Sequence, residues 1–190
     1  VRAVNKNKRM ARSCTEFTHA QMTVSFPYLA ELAPLGQHRL MSASAPSPRI
    51  AVRAIILHEN RLLLVNAWPD GVSDLWCAPG GGVERGASLT DNLRREVHEE
   101  TGLEIAIGAP CLVNEFHDPK GTFHQVDIYF RCQITGGDID HDWIDPAGVV
   151  TTRRLFTRDE MTSIRVKPDS LADVAWSDRV FYDPLEPIVR

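Results

Sequence analysis

Glu96, Glu99 and Glu100 stand at i, i+3 and i+4, so on a helix the three carboxylates share an arc of about 100°. Like charges at that spacing repel by about 0.2–0.5 kcal/mol per exposed pair. A chain keeps such a cluster at little cost when a cation sits among the acids. A hard divalent ion with oxygen ligands is the natural candidate, most simply Mg²⁺ with Mn²⁺ as a substitute. Arg95 lies one helical turn before Glu99 and can hold it in one rotamer.

The flanking residues predict the helix that presents these acids. Ser88 followed by Asp91 makes a capping-box-like start, with an acid at the positive end of the helix dipole. Leu89, Leu93 and Val97 repeat every four residues and give a narrow apolar stripe, which puts the carboxylates on the shoulder of the core. Gly102 supplies the stop, being free to take a positive φ. Before the helix, Pro79-Gly80-Gly81-Gly82 reads as a loop whose backbone can approach a ligand and aim carbonyls and N–H groups at a metal or phosphate.

Together these pieces resemble the signature of the Nudix family, Gx5Ex7REUxEExGU, where U is a bulky aliphatic residue. With Gly81 placed first, Arg95, Glu96, Val97, Glu99, Glu100, Gly102 and Leu103 all fall on motif positions. The family's first Glu falls on Ala87, a departure; Glu84 is close by and can stand in for part of its role. The resemblance implies an α/β fold, an α/β/α sandwich around a mixed β-sheet. It also implies a Mg²⁺-dependent hydrolase that cleaves a phosphoanhydride bond in a nucleoside diphosphate derivative, such as a nucleoside triphosphate or an ADP-ribose-type nucleotide. On that reading Glu96, Glu99, Glu100 and the Gly80 carbonyl hold metal; Glu99, Glu96 and Arg95 are catalytic; Gly81, Gly82 and Glu84 meet the substrate. A base outside the motif would come from Glu115 or the acidic stretch Asp138, Asp140, Asp142 and Asp145, each of which also reads as a solvated loop acid.

Substrate identity is left open by the sequence. Pro119 lies 16 residues past Leu103, a spacing that resembles ADP-ribose-hydrolysing members, and the turn Asp118-Pro119-Lys120-Gly121 explains the same proline. Trp68, Trp76, Phe116, Phe123 and Tyr129 can stack a base or simply fill a core. His117 and His124 flank the turn and can meet phosphate or solvent. Two other functions compete. One is a non-catalytic module that binds a nucleotide or ADP-ribose, favoured by Ala87. The other is an isomerase of prenyl diphosphates, for which Cys77 is a weak candidate.

Composition bounds the rest. The 190 residues carry a net charge of −4, with 43% hydrophobic and 24% charged, an ordinary globular balance that argues against a dedicated nucleic-acid binder. Cys14, Cys77, Cys111 and Cys132 show no CxxC pairing, which fits reduced thiols in a cytoplasmic setting, and no apolar run reaches membrane-spanning length. The expected partner is a small nucleotide-type molecule, with a homodimer compatible. Residues 1–48 begin basic and end in a Ser/Ala/Pro linker, so they read as an appendage, with Met41 an alternative start. Residues 49–165 form the expected catalytic domain, and 166–190 an extension packing on it. Within the domain, two aliphatic runs joined at Glu59-Asn60 predict a hairpin. Residues 103–116, 122–134 and 151–156 predict strands, and residues 158–161 and 171–176 predict further helical segments.

Overall fold

The computed structural model describes residues 46–189 apart from 67, 69–71 and 141. The expectations on residues 1–45 therefore lie outside the described residues.

The first two strands, β1 (Arg49–His58) and β2 (Arg61–Asn66), form the expected hairpin. Its two turn residues, Glu59 and Asn60, both have positive φ, 49° and 60°, the geometry that matches the natural twist of paired strands. After β3 (Leu75–Cys77) and β4 (Gly80–Gly82) comes helix α1 (Leu89–Thr101). Two long strands follow, β5 (Glu104–His117) and β6 (His124–Gly136), then β7 (Arg153–Phe156) and β8 (Arg165–Val166). A short helix α2 (Leu171–Ala175) and the strand β9 (Phe181–Pro187) complete the described chain.

The sheet runs β8-β3-β2-β1-β6-β5-β9, with β4 paired to β1 and β7 to β2. It is mixed. The central pair β1–β6 is parallel, as are β3–β8 and β5–β9, while β1–β2 and β5–β6 are antiparallel. β9 thus belongs to the sheet as the neighbour of β5, with Val113 opposite Tyr182.

Strand alternation divides the core between the two faces. Val52, Ala54 and Ile56 of β1 pack with Leu93 and Val97 of α1, together with Leu103, Ile105 and Phe130. Ile55, Leu62, Leu64 and Tyr129 pack on the other side with Leu171, Val174 and Ala175 of α2. One helix on each face of a mixed sheet is the expected α/β/α sandwich.

Two local expectations are corrected. Gly80–Gly82 is a strand of the sheet and not a free loop, because Gly80, Gly81 and Gly82 pair with Arg53, Val52 and Ala51. Residues 158–161 do not open an α-helix. They lead into a single 3₁₀ turn, Glu160–Ser163, because Ile164 turns extended and the chain then joins β8, which pairs with β3. Among the described residues no helix is long and apolar enough to cross a membrane.

Candidate active site

Helix α1 starts and stops where its sequence dictates. Ser88 is extended (φ −70°, ψ 159°), and its hydroxyl oxygen accepts the Asp91 N–H at 3.0 Å. Gly102 takes φ 72° and donates its N–H to the His98 carbonyl at 2.8 Å. Side chains from far along the chain then satisfy the last-turn carbonyls, which have no partner within the helix. Trp143 donates its indole N–H to Glu99 O at 2.9 Å, and Arg153 donates Nε to Glu100 O at 2.5 Å. The turn that bears Glu99 and Glu100 is therefore fixed from outside the helix.

Arg95 organises two of the three acids. Its Nη1 donates to Glu99 Oε2 at 2.9 Å and its Nη2 to Glu96 Oε1 at 2.8 Å. Glu84 also reaches it, 3.7 Å from Nη2, so this residue does contact the arginine. Burial opposes the charge on Arg95, but the bond to Glu96 and the fields of Glu96, Glu99 and Glu84 raise its pKa above the ordinary value. Asn92, buried within the helix, accepts from both the Glu84 N–H at 2.9 Å and Arg95 at 3.4 Å. This Asn ties the approach to the helix back onto the helix itself.

Glu100 is held differently. Its Oε2 accepts the backbone N–H of Gly80 at 2.7 Å, which joins α1 to β4. Burial pushes its pKa up to about 7, outweighing the opposing pull of Arg53 and of the Gly80 N–H, and the charges of Glu96 and Asp145 push the same way. The glycines that face the acids are required by space. A Cβ on Gly80, at φ 135°, would strike the Val52 carbonyl, and a Cβ on Gly81 would strike the Glu96 carboxylate. The Gly80 carbonyl, expected as a metal ligand, accepts from Arg53 Nη1 at 2.5 Å.

Glu96, Glu99, Glu100 and Gly80–Gly82 all line one cavity of about 450 Å³. Its other walls carry Arg49, Arg53, Lys167, Asn114, Gln125 and Asp127, none of which the motif points to. Arg53 donates Nε to Asp127 Oδ2 at 3.3 Å, and Gln125 donates Nε2 to Asp127 Oδ1 at 2.6 Å. Burial disfavours the Arg53 charge, but the Asp127 carboxylate leads the fields that raise its pKa. The signal for these residues was present as a charge standing inside each aliphatic run, Arg53 in Ala51–Leu57 and Asp127 in Val126–Phe130.

The remaining candidates divide between cavity and elsewhere. Trp68, Phe116, Phe123 and Tyr129 line the cavity, whereas Trp76 packs edge-on against Phe156 at 4.9 Å. Asp145 lines it too, but its carboxylate accepts the N–H groups of Ala147, Val149 and Val150 and so builds a loop. Glu115 lies off the cavity and accepts from Tyr182 at 2.8 Å, with His124 at 3.9 Å. Asp138, Asp140 and Asp142 also lie off it, and Asp140 accepts the Asp142 N–H. Pro119 sits in the turn closed by Gly121 N–H to Asp118 O at 3.2 Å, and the His117 carbonyl accepts from Ile188.

Three hard carboxylates on one face, with a glycine strand pressed against Glu96 and Glu100, form a donor set that fits a divalent cation. Among the described residues, no three acids, imidazoles or thiols are already gathered around one point, because Arg95 engages Glu96 and Glu99 while Gly80 engages Glu100. Arg95 takes only Glu96 Oε1 and Glu99 Oε2, so the second oxygen of each carboxylate is left to face an ion.

A mixed-sheet sandwich with this helix at its cavity defines the class of protein. The chain belongs to the NUDIX domain family, whose sequence model matches residues 47–181. Hydrolases of this family generally use divalent metal cations. The chain is 32% identical over 94 residues to an ADP-ribose pyrophosphatase of Methanocaldococcus jannaschii, covering 48% of this chain and 54% of that one. It is 33% identical over 95 residues to a Bacillus subtilis protein provisionally named an ADP-ribose pyrophosphatase, covering 48% of this chain and 44% of that one. The chain thus spans about half the length of these relatives. The crystal structure of a UDP-X diphosphatase shares the fold, with a TM-score of 0.59 at 20% identity, covering 76% of this chain and 71% of that one.

Proposed function

We propose that the protein is a hydrolase that cleaves a phosphoanhydride bond in a nucleoside diphosphate derivative, an ADP-ribose-type nucleotide or a nucleoside triphosphate. The observation that carries this reading is one cavity with two chemistries. Glu96, Glu99 and Glu100 line one part, and the cations Arg49, Arg53 and Lys167 line others. Carboxylates suit divalent cations, and the basic residues suit phosphate oxygens.

Mg²⁺, with Mn²⁺ as a substitute, would be held by Glu96, Glu99 and Glu100 and would neutralise the diphosphate and polarise water. Arg95 positions Glu96 and Glu99 before the ion arrives. Arg49 and Lys167 meet the outer phosphate oxygens. Glu99, more exposed than Glu96 at 38% against 17%, takes the proton from the attacking water and passes it to solvent. Gly81 and Gly82 let the diphosphate lie close to the backbone, and Glu84 reaches Arg95 at the same Nη2 that holds Glu96. The free thiols Cys77, Cys111 and Cys132 support a reducing, cytoplasmic setting.

Purified protein incubated with Mg²⁺ and a panel of nucleoside triphosphates and nucleotide sugars, with released phosphate read after phosphatase coupling, tests this. Release from at least one substrate, abolished by EDTA, is expected. A second reading, a module that binds without cleaving, is favoured by Ala87. Tight nucleotide binding with no release would establish it.

A further inference from the structure

Buried polar atoms are nearly always hydrogen-bonded, so a cluster that is not marks a place where something else binds. Among the described residues four buried side-chain polar atoms have no partner, and three of them, Trp68 Nε1, Asn114 Nδ2 and Gln125 Oε1, belong to residues that line the cavity of the three glutamates. Asn114 and Gln125 are 3% and 2% exposed, so solvent at the surface does not satisfy them.

Their placement follows from strand register. Asn114 stands opposite Asp127 and Phe116 opposite Gln125 on the antiparallel pair β5–β6, so all four share one face. Asn114 and Gln125 are diagonal neighbours, about 7–8 Å apart at the backbone and within joint reach of one planar ligand. Gln125 cannot turn its amide over freely. Its Nε2 is committed to Asp127 Oδ1 at 2.6 Å, and Asp127 is held by Arg53, which leaves Oε1 as a fixed acceptor. Phe116 and Phe123, 5.9 Å apart and tilted by 42°, form an aromatic wall in the same cavity.

The geometry points to a seat for the nucleobase of the substrate, in which Gln125 Oε1 accepts from a ring or exocyclic N–H and Asn114 Nδ2 donates to a neighbouring ring nitrogen or carbonyl. Purine and pyrimidine edges carry such donors and acceptors side by side, and the phenylalanines supply a face for the ring. Gln125 and Asn114 are then specificity-determining residues, and the Arg53–Asp127 pair positions Gln125. This inference rests on the reading that the substrate is a nucleotide.

The test uses ligands that contain no anhydride bond, so that binding is separated from cleavage. Calorimetric titration of the full chain compares AMP, GMP and UMP with ribose 5-phosphate, which lacks only the base. At least one monophosphate should bind about tenfold tighter than ribose 5-phosphate, and Asn114→Leu and Gln125→Leu should each shrink that preference to about threefold or less. Asn114→Leu breaks no hydrogen bond of the network and decides the matter if Gln125→Leu does not fold. Equal binding of ribose 5-phosphate and all three nucleotides, or an unchanged preference in Asn114→Leu, overturns the proposal. A preserved base preference in a protein that releases no phosphate from any substrate would instead overturn the hydrolase reading and leave the base seat standing.

Discussion

Glu100, on a helix, accepts a hydrogen bond from the backbone N–H of Gly80, on a strand, at 2.7 Å, and it does so from a position where burial has lifted its pKa to about 7. The bond favours the ionised carboxylate and the burial opposes it, and burial wins. At neutral pH the group is poised between states, so any cation brought to it shifts the balance towards charge.

A pH dependence of stability follows. The folded pKa lies above the ordinary value of 4.5, so the native state binds the proton more tightly than the unfolded chain. The contribution is fully present below about pH 4.5 and is lost as pH rises through about 7, by ~3 kcal/mol at most. In EDTA, denaturant melts of the wild type compared with Glu100→Gln should show a difference that grows across this window in favour of the glutamine variant. Added Mg²⁺ should reverse the loss in the wild type alone. A difference that is flat with pH would mean that Glu100 titrates normally.

Glu99→Gln should lower turnover by about 100-fold or more and leave the melting midpoint within about 3 °C, since its carboxylate meets Arg95 at the surface and no core atom. Glu96→Gln should act similarly on turnover. Near-native rates in both variants would remove these acids from the chemistry.

Glu84 and Ala87 can be exchanged as a pair. Glu84 reaches Arg95 at 3.7 Å, while Ala87 is exposed in the turn before the helix. Glu84→Ala should raise the Mg²⁺ concentration needed for half-maximal rate by several-fold, and adding Ala87→Glu should recover part of it. Mg²⁺ titrations that superimpose for all three proteins would show that neither position bears on the acids.

Arg53→Met should destabilise the fold by about 3–5 kcal/mol, because it strands the Asp127 carboxylate and frees the Gly80 carbonyl. The double variant with Asp127→Leu should recover part of that loss, measured by chemical denaturation. A single variant as stable as the wild type would mean that solvent reaches Asp127.

What the sequence determined by itself is what short-range geometry controls. The start of α1 at Ser88, its stop at Gly102, the bond from Arg95 to Glu99 and the hairpin at Glu59-Asn60 each depend on residues within about four of one another. The family signature lies within the same local span, from Gly81 to Leu103. The tertiary structure alone decided which distant groups meet these residues. Gly80–Gly82 became a strand because β1 offered it a partner, and its first carbonyl went to Arg53. Asp145 went to three backbone N–H groups of its own loop while still lining the cavity, and Glu160 took the Thr157 N–H at the edge of a 3₁₀ turn where a helix was expected. Arg53 met Asp127 across 74 residues through the parallel register of β1 and β6, and the antiparallel register of β5 and β6 set Asn114 and Gln125 on the same cavity face. Register is fixed by burying one face of a whole sheet, a sum over many strands, and no single segment carries that information.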